Sequence, residues 1–492
     1  MPYWPLRRFA AELGSASFAV AVALVVALQG TLIAGHSYFV DEWQALQIAV
    51  QSPNLPALLA NLRYEGHPPL WYLLLRGLAA IMGPGHALLV ASSLCAAVVL
   101  AIVAVCAPWS RWVRLAVILS EPILFEFGTI SRGYSLGVAL TFVTLALWDK
   151  RRAVWVALAL LPFVDFLFGL IALALIALRW DERGRGGVWV PGAVFFGVTS
   201  LLAAWTVLPA PDFVSVYPPT GVVEELTRWM RGIATVMLPV QWRGGPLWDA
   251  PWVTPATPLL GIGFLVMAWL QTARERIERA VAVGFPVLLL AFMIVVHTLA
   301  IRHMMLVAVV IMAILWRQGT RDHPLAPLTR IWLALMAACG LVTAGFALTR
   351  PFDTAAQVVR TIRAMGLERE TWLSFPAQHA QGVAAVGGIG FEALGPDCRS
   401  NFIRWNFRHR ITDRAKLRDR LITEASAGGR FHLLSEYKPA AGGPITRIAT
   451  IRPGLDGKVY HLYRVDGAVP GVRAEAPPCV PGTLTLPPLM PK

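Results

Sequence analysis

Apolar stretches recur from Ser17 to about Leu348, and each has roughly the 18 or more residues that a membrane-crossing helix needs. In lipid such a run must be helical, because only a helix satisfies its own backbone there. The 492-residue chain, 56% hydrophobic and 15% charged, therefore reads as a polytopic helical membrane protein. The net charge of +14 would invite a nucleic-acid partner. The basic residues of this region sit in short connections, however, the pattern that sets membrane topology and suits an anionic cytoplasmic leaflet. No nucleic acid is expected.

Arg7 and Arg8 place the N-terminus in the cytoplasm. The run Ser17 to Ala34 is too long for a signal peptide, and cleavage near Gly35 would remove the membrane tether, so it reads as an uncleaved anchor. Five basic clusters then fall inside: Arg111/Arg114, Lys150/Arg151/Arg152, Arg179/Arg183/Arg185, Arg274/Arg276/Arg279 and Arg317/Arg321. Alternation puts four regions outside. These are the Ile130–Tyr134 turn, the Asp165 turn, a long loop from Pro209 to Trp252, and the His297–His303 turn. The last run, Ile331 to Leu348, emerges outside.

The first outside loop holds two amphipathic stretches, one with Trp43, Leu46 and Val50 on a face, the other with Leu55, Leu58, Leu59 and Leu62. Helices of that kind lie in the membrane interface. The run Pro69 to Gly83 is short, carries Arg76, and must return to the side it came from. It is expected to be partial or re-entrant. Trp229, Trp242, Trp248 and Trp252 read as an interfacial belt.

Beyond residue 350 the composition changes. Helices are expected at Asp353–Met365 and Asp413–Ala427, and strands at Trp372–Phe375, Phe431–Tyr437, Ile445–Ile451 and Val459–Val465. Three parts follow: residues 1–350 in the membrane, a small α/β domain at 351–475, and a proline-rich tail at 476–492. Cys398 and Cys479 are the two cysteines of this region and would pair in an oxidising compartment. Neither a phosphate-binding glycine loop after a strand nor a nucleophile elbow is present, so the chemistry is not expected in this domain.

The outside turns collect ionisable residues: Asp41, Glu42, Glu65 and His67, then Glu126, Arg132 and Tyr134, then Asp165, and late His297, Arg302 and His303. A carboxylate there is suited to deprotonate a hydroxyl, and an arginine to hold a phosphate. Each also has a plainer reading. Asp41 and Glu42 mark where water begins, His67 starts a helix, Glu126 is a satisfied buried acid, Asp165 caps a helix, and the arginines snorkel to headgroups.

Val40-Asp41-Glu42-Trp43 followed by His67-Pro68-Pro69-Leu70-Trp71-Tyr72 resembles the start of the GT-C superfamily of membrane glycosyltransferases. The nearest look is to bacterial members of the protein mannosyltransferase and aminoarabinose transferase type, glycosyltransferase family 39-like. Ser131-Arg132-Gly133-Tyr134 is similar to that group's Arg-x-Tyr turn, and Arg302-His303 to its late Arg-Tyr motif. The resemblance spans roughly residues 15–320. It implies a GT-C fold in a bacterial inner membrane, a polyprenyl phosphate sugar as donor, and transfer of a hexose or pentose outside the cytoplasm. The acceptor, a glycan, lipid or protein, stays open. Carried over, Asp41 is the catalytic base, with Glu42 beside it in the catalytic set. The grouping of ionisable residues at the outside turns makes Glu65, His67, Arg132, Tyr134, Asp165, Arg302 and His303 the candidates for binding substrate. Many relatives carry an acid four residues before the tyrosine of the turn. Here that position is Ile130; Glu126, one helical turn earlier and so on the same face, is the candidate catalytic acid in its place, the alternative being that the second acid is absent. Use of a divalent metal stays open.

The rival reading is a transporter or flippase of lipid-linked glycans, which would also use arginines and buried acids. It would be expected to show two related halves, and no internal repeat is evident.

Overall fold

The computed structural model describes residues 16–184, 187–215, 218–239, 256–272, 274–395, 398–399, 402–406, 414–440, 442–471, 473 and 476–480. Arg7, Arg8, Arg185, Trp242, Trp248, Trp252, Asp413 and the tail after residue 480 lie outside them.

The membrane part opens with α1 (Ala16–Gly35), followed by α2 (Val40–Gln51), α3 (Leu55–Leu62) and α4 (Leu70–Met82). Next come α5 (Pro84–Cys106), α6 (Arg111–Leu119) and a π-turn at Pro122–Glu126. Then α7 (Gly133–Ala146), α8 (Ala153–Leu160), α9 (Phe166–Leu178) and α10 (Trp189–Thr206) follow. The set closes with α11 (Val222–Met237), α12 (Thr257–Met267), α13 (Arg276–Val295), α14 (Leu306–Gly319) and α15 (Pro327–Thr349). Among the described residues α1, α5, α10, α13 and α15 are long and apolar enough to cross a membrane.

The return of α4 to its own side follows from two contacts of α5. At the start of α5, Ser131 donates its hydroxyl to the Leu88 carbonyl (2.8 Å). At its end, Arg114 donates to the Ala104 carbonyl (2.8 Å). Ser131 precedes the Arg-x-Tyr turn, so α5 begins on the face where α4 also began. With 13 residues, α4 is about 20 Å long, against a hydrocarbon core of about 30 Å. Gly83, at φ 86°, turns the chain between the two helices, a conformation glycine adopts without a Cβ clash. Arg76, the charge in this apolar run, donates to the carbonyls of Ala49, Ser52 and Pro53. It thereby caps the C-terminus of α2.

On the opposite face several basic residues do more than mark topology. Arg317 is buried and donates to Glu278 (2.5 Å) and Glu275 (2.8 Å), tying the end of α14 to the start of α13. Arg114 and Arg179 are likewise buried, on backbone carbonyls.

One expectation needs correction. The stretch read as a long outside loop contains α11, whose C-terminal half packs inside the bundle. The Trp229 indole is buried and donates to the Pro286 carbonyl (2.8 Å), so it is no interfacial belt residue. Trp332 of α15 reaches the Val236 carbonyl (3.3 Å).

The C-terminal part has α16 (Ala355–Ala364), β1 (Trp372–Phe375), α17 (Gln381–Gly387), β2 (Phe391–Ala393), β3 (Cys398–Arg399), α18 (Leu417–Ala427), β4 (Phe431–Ser435), β5 (Ile445–Ile451) and β6 (Tyr460–Val465). Their sheet runs β3-β2-β1-β4-β6-β5. β1 is parallel to β2 and β4, and β6 is antiparallel to β4 and β5. Val358, Ile362 and Val383 cover one face with Trp372, Leu434 and Leu462. Leu417 and Leu421 cover the other with Leu373, Leu433 and Tyr463. A sheet covered on both faces explains why β1 and β4 are buried throughout rather than alternating. Cys398 and Cys479 form a disulfide, and Arg399 pairs with Pro477 and Cys479 through the backbone. The first residues of the stretch read as a loose tail are thus pinned against β3.

Candidate functional site: a cationic cavity between the membrane helices and the sheet

The site starts from the N-terminus of α2. Its N-cap is Phe39, which has no side chain able to cap. Glu42, three residues on, does that work. Its carboxylate accepts from the Phe39 amide (2.9 Å) and the Ser131 amide (2.6 Å), and meets His36 Nε2 at 2.9 Å. Glu42 is fully buried. It fastens α2 to the turn that precedes α7 and holds the neighbouring Asp41 in place.

Asp41 lines a cavity of about 580 Å³. One of its oxygens lies 2.7 Å from Arg302 Nη2 and 3.3 Å from Arg132 Nη2. The two arginines come from separate places, Arg132 at the N-cap of α7 and Arg302 on the turn Ile301–Met305. Burial works against ionisation of Asp41. Arg132, Arg302 and Lys458 outweigh it and hold the carboxyl well below the usual carboxylate range. The Phe39 ring gathers the same three cations, with centroid distances of 5.9 Å to Arg132, 5.5 Å to Arg302 and 5.6 Å to Lys458.

Glu65 and His67 line the cavity from the loop before α4. Gln44 donates to Glu65 (2.6 Å), yet burial, seconded by Asp41, pushes the Glu65 carboxyl up to about 7. His67 Nδ1 sits 2.8 Å from Asp165. Burial favours its neutral form, but the Asp165 contact prevails and raises its pKa. Asp165 also accepts from the Leu167 amide (2.8 Å) as N-cap of α9. It is therefore both a cap and the group that orients His67. Tyr134 and His303 line the cavity with ring centroids 5.3 Å apart, and His303 accepts from the Ala300 amide (2.9 Å).

Nine of the eleven residues singled out from the sequence, His297 among them, thus line one cavity. Glu42 and Glu126, read from the sequence as catalytic partners of Asp41, do not line it. Glu42 is spent on backbone amides, and α-helical geometry turns it about 100° away from Asp41. Glu126 is buried and is not among the lining residues. The sharing of a face with position 130 presumed an unbroken α-helix. The chain instead closes a π-turn at Glu126 and continues through turn residues 127–129.

Sequence reasoning missed the contribution of the C-terminal domain, whose Gln378, His379, Gln381, Trp405 and Lys458 line the same cavity. Gln44 joins the two parts, donating to the Ile403 carbonyl (2.7 Å) and accepting from its amide (3.0 Å). Arg404 donates to Asn61 (2.8 Å). No sequence signal marks these residues, because the seam joins positions more than 300 apart.

No family model matches the chain, and no curated protein matches it. Among solved structures, the crystal structure of ArnT from Cupriavidus metallidurans bound to undecaprenyl phosphate is similar to this chain. The likeness covers 92% of this chain and 99% of that one, at 12% identity and a TM-score of 0.39. A likeness at that level says nothing of what this chain binds or transfers.

The charges define what the cavity can do. Three cations face the carboxylate of Asp41, so an anion with several oxygens is attracted and matches the forks of two guanidinia. A divalent metal fits less well. Among the described residues no three His, Cys, Asp or Glu side chains gather to hold one, and Asp41 already shares its oxygen between two arginines.

Proposed function

We propose that this chain is an integral membrane glycosyltransferase that moves a sugar from a polyprenyl phosphate-linked donor to an acceptor on the extracytoplasmic face. The observation that carries the reading is Asp41, held by Arg132 and Arg302 in a cavity at the edge of the apolar helices. The phosphate of the donor would compete with Asp41 for the two guanidinia. The apolar walls, among them Trp71, Val164, Phe166 and Leu299, suit the first units of a polyprenyl chain. As the arginines turn to the phosphate, Asp41 loses the charges that make it a weak base. It then takes the proton of the acceptor hydroxyl. The acceptor oxygen bonds to the anomeric carbon, the bond from that carbon to the phosphate oxygen breaks, and polyprenyl phosphate leaves with the electron pair. A single displacement of this kind inverts the anomeric centre. The disulfide in the C-terminal domain favours its placement in a periplasmic or extracellular, oxidising space.

The test is turnover of the purified protein in detergent with a panel of polyprenyl phosphate sugars, beside Asp41→Asn. Release of polyprenyl phosphate by the wild type alone is expected. If the wild type neither releases nor binds polyprenyl phosphate, the reading is overturned. Movement of intact lipid-linked glycan across proteoliposomes without release would establish the transporter instead.

A further inference from the structure

We propose that Lys458, from the C-terminal domain, is the third cation of the phosphate site, so that the donor phosphate is held across the seam between that domain and the membrane helices. The inference rests on the donor reading above and adds to it a residue outside the resemblance.

The geometry begins with the seam. The Leu455 and Asp456 amides donate to the carbonyls of Pro351 and Phe352 (3.0 Å each), and the Phe352 ring packs on Phe39 at 5.5 Å between centroids. The turn that precedes Lys458 is therefore fixed to Phe39, the residue at which α2 begins. Gly457, at φ 78°, completes that turn, and Asp456 accepts from the Lys458 amide (3.1 Å). The ammonium is delivered to the Phe39 ring that the two arginines also face.

Lys458 Nζ is buried and makes no hydrogen bond. Its nearest carboxylate, Asp456, is at 3.7 Å, too far for one. Asp456 balances its charge as an ion pair, but an ammonium whose N–H donors are unbonded in a buried place is still costly. Phosphate oxygens in the cavity would supply the missing acceptors.

Charge bookkeeping assigns the lysine a task that the arginines alone meet less well. A polyprenyl phosphate sugar is a phosphodiester with a single negative charge. The leaving polyprenyl phosphate is a monoester and carries about −1.5 to −2 near neutral pH. Negative charge thus grows on the phosphate as the sugar leaves. A third fixed cation favours the later, more charged state over the bound donor, which is how an electrostatic contact accelerates rather than merely binds.

Binding of polyprenyl phosphate and of the donor to the full-length protein in detergent tests this, with Lys458→Met, Lys458→Arg and, as control, the exposed Lys438→Met. Loss of a charge-assisted contact predicts polyprenyl phosphate affinity about 10- to 100-fold weaker in Lys458→Met. Donor affinity should fall less, Lys458→Arg should recover most of the loss, and Lys438→Met should match the wild type. Lys458→Gln replaces the Met variant if the latter melts early. A folded Lys458→Met or Lys458→Gln that binds polyprenyl phosphate like the wild type overturns the role of Lys458 and leaves the donor reading standing. A wild type that binds no polyprenyl phosphate overturns both.

Discussion

On the proposed reading Asp41 is at once the base and, while its arginines hold it, a poor one. Two effects of Asp41→Asn should therefore diverge. Turnover should fall by about 10²- to 10⁴-fold, the usual worth of a positioned general base. Polyprenyl phosphate affinity should hold or rise, because Arg132 and Arg302 lose their internal competitor. A titration of the variant with polyprenyl phosphate checks this, and loss of binding would show Asp41 to be merely structural. Glu65 gives the pH dependence. Its carboxyl is raised from 4.5 to about 7, so the folded protein keeps that proton where an unfolded chain has lost it. Stability drawn from this group is present below pH 4.5 and is lost as pH rises to about 7. Above that, a second negative charge faces the incoming phosphate. The donor KM should climb through pH 7, and Glu65→Gln should flatten the climb. A climb that persists in the variant would remove Glu65 as its source. Asp41, Arg132 and Arg302 were legible in the sequence because charges at membrane turns are costly enough to need a reason. Lys458 was not, since a lysine after an Asp-Gly turn looks like any solvated loop residue.

At the scale of the element, the start of α2 decides the site. Removing the Glu42 carboxylate would strand two backbone amides and His36 in a buried place. Glu42→Ala should cost on the order of 3 kcal/mol and misplace Asp41 as well. Thermal melts in detergent should drop for Glu42→Ala and change little for Asp41→Asn; equal melts would refute the fastening role. The helices α2 and α3 were legible from their apolar spacing, and α4 from its shortness and Arg76; that α2 is buried on nearly every side, its glutamines included, was not. The helix α11 was not. Glu224, Glu225, Arg228 and Arg231 make its first turns look like a solvated loop, while the tertiary contacts that bury Trp229 and Val236 come from helices far along the chain. The strands β2 and β3, at three and two residues, are too short to show any period.

For the whole molecule, the seam makes one machine of two parts that composition alone separates. The disulfide closes a separation of 81 residues and restricts the unfolded chain by up to about 4.5 kcal/mol. A Cys398→Ser/Cys479→Ser pair should melt several degrees lower in the C-terminal domain, as followed by limited proteolysis; unchanged cleavage would show the bridge to be dispensable. The seam also sets an order in time. A ribosome finishes the last membrane helix at Thr349 and must add more than a hundred further residues before Lys458 exists. Until the sheet has folded and docked, the nascent protein holds Asp41 and its two arginines but lacks the wall that Gln378, Gln381 and Lys458 supply. On the proposed reading, chains cut short or still being made would be silent in the membrane, and activity would begin only once the C-terminal domain has closed the cavity.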